Sequence, residues 1–254
     1  MPVVLVEKQS PQITVLTLNR PERRNSLTIE LMSELVAAIS NAAADNNQRV
    51  LILRGAGKAF CTGLDLKEAA IEKNAHTTAE MVAKTLIAVS QTRLVTIAAV
   101  HGAAVAGGAG IMSACDFVVA AEKTKIGYPE VRRGLVAGLV MTFLRRQLRE
   151  RDIRELVLAS ELIEAERAKE IGLVNRVVPP NELESAVQEI VASILQGAPN
   201  ALTNSKRLIE ELWSSTAIAD IERALRDHMQ ARESDEAREG IAAFNEKRVP
   251  KWVN

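Results

Sequence analysis

Two cysteines in 254 residues, no excess of either charge and no apolar run of bilayer length set the first boundaries. Cys61 and Cys115 have no metal-ligand spacing between them and sit among small or apolar residues, so buried free thiols are expected, as suits a reducing compartment. Lysine plus arginine balances aspartate plus glutamate at 32 each, which leaves no overall field to draw the chain to nucleic acid or an anionic membrane. A local basic patch for a phosphorylated ligand is compatible with that balance. Residues 1–7 lack the basic stretch, apolar stretch and small-residue cleavage site of a leader. No apolar run approaches the roughly 20 residues that cross a bilayer. A cytoplasmic protein with no nucleic-acid or membrane partner is the expectation. The phosphate-loop fingerprints G-x-G-x-x-G and G-K-[ST] are absent too.

What is present is the composition of an ordinary globular chain, 47% hydrophobic and 25% charged, long enough for one domain or a core with a smaller appendage. Ile13–Leu18 is β-branched and alternates, as a strand does, with residues 3–6 as its partner. Thr28 is placed to cap a helix carrying Leu31, Leu35, Ala38 and Ala42 at steps of three or four. Residues 50–53 read as a buried strand ending at the turn Gly55-Ala56-Gly57. An irregular stretch, 58–77, follows, and a helical pattern resumes through Met81 and Leu86. Val95–Val100 and residues 117–120 are further strands, separated by the small-residue run from His101 to Gly110 and a short helix over 107–114.

Strands alternating with helices argue for an α/β core, and a stretch as loose as 58–77 inside it points to function. From about Thr142 the pattern is helical, apart from a strand at 174–178 closed by Pro179-Pro180. Helices are expected near 181–196, 199–212, 216–232 and 235–246, with stripes such as Leu183, Val187, Ile190 and Ile194. The division expected is a core over 1–195 and a C-terminal helical region over 196–254 that serves oligomerisation.

Three segments carry the chemistry: Lys58 to Leu66, His101 to Gly110, and Gly127-Tyr128-Pro129-Glu130. The first two are glycine-bearing loops that follow buried strands, where α/β proteins commonly place ligands. Glycine lets the backbone approach a ligand, and N–H groups at a helix start attract negative charge. On spacing alone each loop reads equally as a packing device, and Glu130 as one surface glutamate among many. His101 reads as a strand-end histidine satisfied by backbone rather than as a catalyst.

Leu18-Asn19-Arg20-Pro21-Glu22 through Asn25-Ser26-Leu27, then Ala59-Phe60-Cys61-Thr62-Gly63-Leu64-Asp65-Leu66, then Gly102 to Asp116 with Ala106-Gly107-Gly108 inside it, stand in this order. Pro129-Glu130, the run Ala168 to Val174 with Ile171-Gly172-Leu173, and Phe244-x-x-Lys247-Arg248 follow. This series resembles the enoyl-CoA hydratase/isomerase (crotonase) family over essentially the whole chain. The resemblance implies a spiral core of ββα units with a C-terminal helical region, assembled as a homotrimer or a dimer of trimers. It also implies an acyl-CoA thioester substrate, with no metal or redox cofactor, CoA arriving as part of the substrate.

By the same resemblance the N–H groups of Leu64 and Gly107 form an oxyanion hole for a thioester enolate, and Glu130 is the acid/base. Removing one such donor typically costs about 3 kcal/mol or more. Gly63, Asp65, Leu66, Ala59 and Phe60 are implied substrate contacts of the first loop, and Gly108, Gly110 and Pro129 of the second and third. Arg24 and Lys247 are implied partners of the CoA phosphates. Arg132 and Arg133 are candidates for a carboxylate on a substrate tail.

Family hydratases carry a second glutamate at the position of Gly110. Two carboxylates divide the work of adding water, whereas one suffices to move a proton between carbons. Isomerisation is therefore implied beside hydration, including the hydration of branched, methylglutaconyl-type thioesters. The remaining possibilities are a stand-in carboxylate such as Glu68 or Glu72, and a CoA-binding protein without turnover. RNA binding, known for one relative with a lysine-bearing first helix, is disfavoured because the helix from Thr28 to Asp45 holds no lysine or arginine.

Overall fold

Strands that are apolar on both faces need cover on both faces, and the computed structural model supplies it. It describes residues 1–70, 75–213 and 216–252. The chain begins β1 (Val4–Ser10), β2 (Ile13–Leu18), a 3-10 turn over Pro21–Arg23, α1 (Ile29–Ala44) and β3 (Val50–Gly55). It continues α2 (Leu66–Ala69), α3 (Ala75–Gln91), β4 (Val95–Val100), β5 (Ala103–Val105), α4 (Gly107–Ser113), β6 (Phe117–Ala121), β7 (Lys125–Gly127) and a 3-10 turn over Glu130–Arg133. Next come α5 (Gly138–Gln147), α6 (Glu150–Arg154), a π-helical stretch over Glu155–Ala159, β8 (Ile163–Glu164), α7 (Ala165–Glu170), β9 (Arg176–Val178) and a 3-10 turn over Pro180–Glu182. Four helices follow: α8 (Leu183–Leu195), α9 (Pro199–Glu211), α10 (Ala217–Arg232) and α11 (Asp235–Glu246).

The main sheet has the order β1-β2-β3-β4-β6-β9, antiparallel at β1–β2 and parallel elsewhere. Ile13, Val50 and Val95 stand in register, so alternate side chains line up across three strands. One face, with Val15, Ile52, Ile97 and Val119, packs against Val187, Ile190 and Val191 of α8. The other, with Leu16, Leu18, Leu51, Leu53 and Val100, packs against α1 and α3. Burying each such leucine stabilises the fold by roughly 1.5–3 kcal/mol before chain entropy is counted. Helix α1 starts at Thr28, as the capping residue requires: its Oγ1 accepts from Leu31 N at 3.2 Å. The result is a mixed α/β core of ββα-like units followed by C-terminal helices, the architecture that the sequence implied.

The C-terminal helices divide in their behaviour. α10 packs on α3 and α5, and α11 on α2 and the 130–133 turn, so both close over the core. α9 contributes no buried side chain, and Leu208, Ile209 and nearby Leu212 and Trp213 are exposed. Two expected boundaries shift. Helical structure begins at Gly138, not near Thr142, and α10 lies close to that glycine: a Cβ there would stand 3.1 Å from Ala224 O. The strand expected at 174–178 starts only at Arg176. Leu173 N and Val174 N both donate to Ala168 O and close α7 instead. No helix among the described residues is long and apolar enough to cross a membrane.

Candidate active site

The site grows from the ends of β3 and β4, which point the same way because the strands are parallel. The chain leaving β3 lies alongside the chain leaving β4: Phe60 N donates to His101 O at 2.9 Å, Cys61 N to Ala103 O at 3.1 Å, and Val105 N to Cys61 O at 3.0 Å. β5 in turn pairs in parallel with β7, Val105 opposite Gly127. Three ribbons thus run side by side at the usual strand spacing of about 4.8 Å. Each then delivers its key residue two or three positions beyond the ladder. Leu64 follows Cys61, Gly107 follows Val105, and Glu130 follows Gly127.

Two tight backbone turns set the direction of the N–H groups. Gly63 has φ +84, and a Cβ there would stand 2.9 Å from Ala106 Cβ and 3.4 Å from Gly107 N. Ala106 takes φ 51, ψ −126 as the residue before α4, a conformation that strains any side-chain-bearing residue by on the order of 1–3 kcal/mol. Its own N–H is spent on Gly127 O at 2.8 Å, and its carbonyl accepts from Gly110 N at 2.9 Å. Leu64 is held from the other side, with Leu27 N donating to Gly63 O at 2.8 Å and Asp65 N to Leu27 O at 2.9 Å. Among the described residues, neither the Leu64 nor the Gly107 N–H donates to a backbone carbonyl outside regular structure.

Glu130 opens the 130–133 turn and is only 9% exposed, and its Oε2 is buried with no hydrogen-bond partner. Burial pushes its carboxyl up to about 7, partly offset by a hydrogen bond from its own backbone N–H and by the charge of Arg133. Such a group exchanges a proton readily near neutrality. Gly110 lies one turn into α4 and, among the described residues, faces Val140 and Leu86. A Cβ there would lie 2.5 Å from Val140 Cγ1 and 3.5 Å from Leu86 Cδ2, so the second-glutamate position is occupied by α5 and α3 hydrocarbon. Glu68 does not turn to the site, since its Oε1 accepts from Ile29 N at 3.3 Å at the start of α1. Glu72 lies outside the described residues.

The other expected contacts separate into backbone and surface. Ala59 and Phe60 are buried, with the Phe60 ring wholly in the core, so only their backbone borders the loop. Gly108 packs against Cys61 O, and Pro129 is buried beside Glu130. Leu66 is half-buried at the start of α2. Arg24 is exposed, its carbonyl accepting from Thr62 N at 3.2 Å. Lys247 is exposed at the end of α11. Arg132 donates to Ala159 O at 3.1 Å, and Arg133 donates to Pro129 O at 3.1 Å with its guanidinium 4.7 Å from the centroid of Phe244. His101 Nε2 meets Gly57 O at 2.9 Å, the backbone role expected of it. Both cysteines are buried and free, and burial pushes the Cys61 thiol up to about 12.

Asp65 turns out to be a brace. Burial alone would raise its carboxyl, but hydrogen bonding and charge from Arg20 outweigh that and hold it below the usual range. Arg20 Nη2 reaches it at 3.1 Å while Nη1 donates to Ser26 O at 2.6 Å. Asn25, fully buried at φ 55, was not singled out from the sequence, yet its Nδ2 donates to the carbonyls of Ala56, Ala59 and Phe60 at 2.9, 2.8 and 3.1 Å. The opening segment therefore clamps the loop that carries Leu64. An asparagine followed by Ser-Leu after Arg-Pro was the available signal, but a turn residue gives no sign of which carbonyls it will hold.

Known proteins share this arrangement at the level of the whole chain. A family model described as enoyl-CoA hydratase/isomerase matches residues 8–254. A Thermus thermophilus relative is 36% identical over 254 residues, covering 98% of this chain and 100% of its own. Mevalonyl-coenzyme A hydratase sidH of Aspergillus fumigatus is 33% identical, over 98% of this chain and 94% of its own. The crystal structure of an enoyl-CoA hydratase from Mycobacterium avium superposes with a TM-score of 0.86 at 32% identity, covering 100% of both chains.

Proposed function

The chain belongs to the enoyl-CoA hydratase/isomerase family, and on that premise we propose that it shifts the double bond of an enoyl-CoA thioester with Glu130 as its single proton carrier. The observation that carries this reading is the orphaned, buried Oε2 of Glu130, taken with the Leu64 and Gly107 N–H groups that donate to no backbone carbonyl outside regular structure and with hydrocarbon at Gly110. The Glu130 carboxylate takes a proton from C2 of a 3-enoyl thioester. The electron pair moves into the thioester carbonyl, and the Leu64 and Gly107 N–H groups hold the resulting enolate oxygen. Protonated Glu130 then returns the proton at C4, leaving the 2-enoyl thioester and the starting carboxylate. A carboxyl near 7 is matched to both halves of that cycle. The N-terminus of α4 adds favourable potential at the enolate oxygen.

CoA lies along the 59–66 loop, with the exposed cations of Arg24 and Lys247 available to its phosphates. The exposed apolar side chains of Leu208, Ile209, Leu212 and Trp213 support assembly into a homotrimer or a dimer of trimers. Hydration, including that of methylglutaconyl-type thioesters, is the second reading. It is favoured by the Aspergillus relative, a mevalonyl-coenzyme A hydratase. The deciding experiment follows conjugated-thioester absorbance with 3-enoyl-CoA and 2-enoyl-CoA. Gain from the 3-enoyl substrate alone is the expected result. Loss from the 2-enoyl substrate would replace isomerisation by hydration. Binding of both without turnover would leave an acyl-CoA-binding protein.

A further inference from the structure

Pro129 and Glu130 share a peptide bond whose oxygen is held from two sides. The Pro129 carbonyl accepts from Arg132 N at 3.2 Å and from Arg133 Nη1 at 3.1 Å, so both its lone pairs are taken. The peptide is planar, and fixing its oxygen fixes the direction of the Glu130 N–H. That N–H in turn holds the carboxyl of its own residue. By covalent geometry Arg133 Nη1 lies within about 5.4 Å of the Glu130 backbone nitrogen.

The guanidinium is itself seated by α11, 4.7 Å from the ring centroid of half-exposed Phe244. α11 meets the 130–133 turn backbone to backbone. A Cβ at Gly134, where φ is +66, would run into the Glu236 carbonyl, and one at Gly240 into that of Arg133.

Acidic groups on the elements packed against the turn are engaged elsewhere or exposed. On α11, Asp235 pairs with Arg238, Glu239 and Glu246 pair with Arg248, and Glu236 is exposed. Glu155, in the 155–159 stretch, pairs with Arg167. On α10, which packs on α11, His228 Nδ1 meets Val136 O at 3.0 Å with burial favouring its neutral ring, and Arg232 donates to Ala69 O. Two residues before Glu130, the Tyr128 hydroxyl is bonded to Ser113 Oγ at 2.7 Å. On the turn itself, exposed Arg132 donates to Ala159 O. The charge of Arg133 is therefore left to act on Glu130. Burial raises the Glu130 carboxyl, and its own N–H and the charge of Arg133 oppose that rise.

We infer that Arg133 is a positioning residue for Glu130 and that α11 takes part in the reaction through it, Phe244 seating the guanidinium and the guanidinium holding the peptide that carries Glu130. The inference rests on the reading of Glu130 as proton carrier. A surface arginine would extend into water and keep its rotamer freedom. Arg133 is instead half-buried and folds back to a carbonyl four residues earlier.

The test measures kcat and kcat/KM from pH 5 to 9 for the favoured enoyl thioester, with circular dichroism as the check on folding. Glu130→Gln, Arg133→Met, Arg133→Lys, Phe244→Leu and the double variant Arg133→Met/Phe244→Leu are compared with wild type. In wild type the acidic limb of kcat/KM is expected near pH 7, where Glu130 ionises. Arg133→Met lowers the plateau of kcat on the order of 10- to 100-fold and moves the limb up by on the order of 1 pH unit. Arg133→Lys keeps the charge and stands between. Phe244→Leu shifts both in the same sense by less, and the double variant is no worse than Arg133→Met because the two act in series.

A limb that stays put in Arg133→Met, an unchanged plateau, or additive losses in the double variant each overturn the inference and leave the acyl-CoA reading standing. If Arg133→Met does not fold, wild-type values in Phe244→Leu overturn it. Turnover that survives Glu130→Gln removes Glu130 as proton carrier, and the inference with it. If no thioester turns over, the Glu130 carboxyl is titrated by carbon NMR against Glu130→Gln. A midpoint that does not rise in Arg133→Met then overturns the inference.

Discussion

Val140 Cγ1 stands 2.5 Å from where a Cβ on Gly110 would lie. A real Cβ needs about 3.4 Å or more, and valine is too stiff at χ1 to swing aside. Gly110→Ala should therefore destabilise the protein by about 1–3 kcal/mol despite the better helix propensity of alanine. Val140→Ala in the same chain should recover most of that loss. Denaturant midpoints of the two single variants and the double variant measure the coupling, and additive losses would show that the two positions do not share this space.

Glu130→Gln keeps the shape of the side chain and removes its ability to carry a proton. Turnover of the favoured enoyl thioester should fall by on the order of 10²–10⁴-fold with an unchanged circular-dichroism spectrum. Undiminished turnover would reassign the acid/base.

The same residue sets a pH dependence of stability. Its carboxyl ionises at about 7 in the folded protein against an ordinary 4.5, so between those values the folded state holds a proton that the unfolded chain has released. The stabilisation is complete below pH 4.5 and is lost as the pH rises through 7, by roughly 3 kcal/mol in all. Unfolding curves from pH 5 to 8 should show wild type declining relative to Glu130→Gln. Parallel curves would mean that Glu130 ionises normally.

Gly63→Ala forces a Cβ into a left-handed backbone position and to 2.9 Å from Ala106 Cβ. It should cost about 1–3 kcal/mol of stability. Because Gly63 and Ala106 each precede a residue proposed for the oxyanion hole, kcat should fall on the order of 100-fold, more than KM rises. A purely stability-linked loss, restored by cooling, would detach Gly63 from the hole.

Asn25→Ala removes the donor to three loop carbonyls and places alanine at φ 55. A loss of about 2–4 kcal/mol is expected. Hydrogen exchange should speed up first at Phe60 and Cys61, whose amides anchor the loop to His101 and Ala103. Uniform acceleration across the sheet would point to global destabilisation alone.

The larger elements were legible because their patterns repeat. Ile13–Leu18, Val95–Val100 and the 235–246 helix occupy the residues that alternation or helical spacing selects. The three-residue strands β5 and β7 were not legible, since three residues are too few for a period to register. They are the paired ribbons from which the chain runs on to Gly107 and Glu130. Glu130 was singled out through the family likeness, and its burial with an unpartnered Oε2 emerged only from packing. Arg232 gave no signal at all: an arginine near the end of an amphipathic helix is ordinarily solvated, and its burial depends on Ala69, 163 positions away.

That separation has a consequence for the order in which a new molecule becomes competent. Leu64 and Gly107 leave the ribosome early, but the clasp made by α10 waits for nearly the whole chain to be synthesised. A nascent chain can assemble the sheet and still lack the helix that packs over α3 and α5. Closure of α10 over the core should therefore arrive late and abruptly, when His228 and Arg232 dock on Val136 and Ala69.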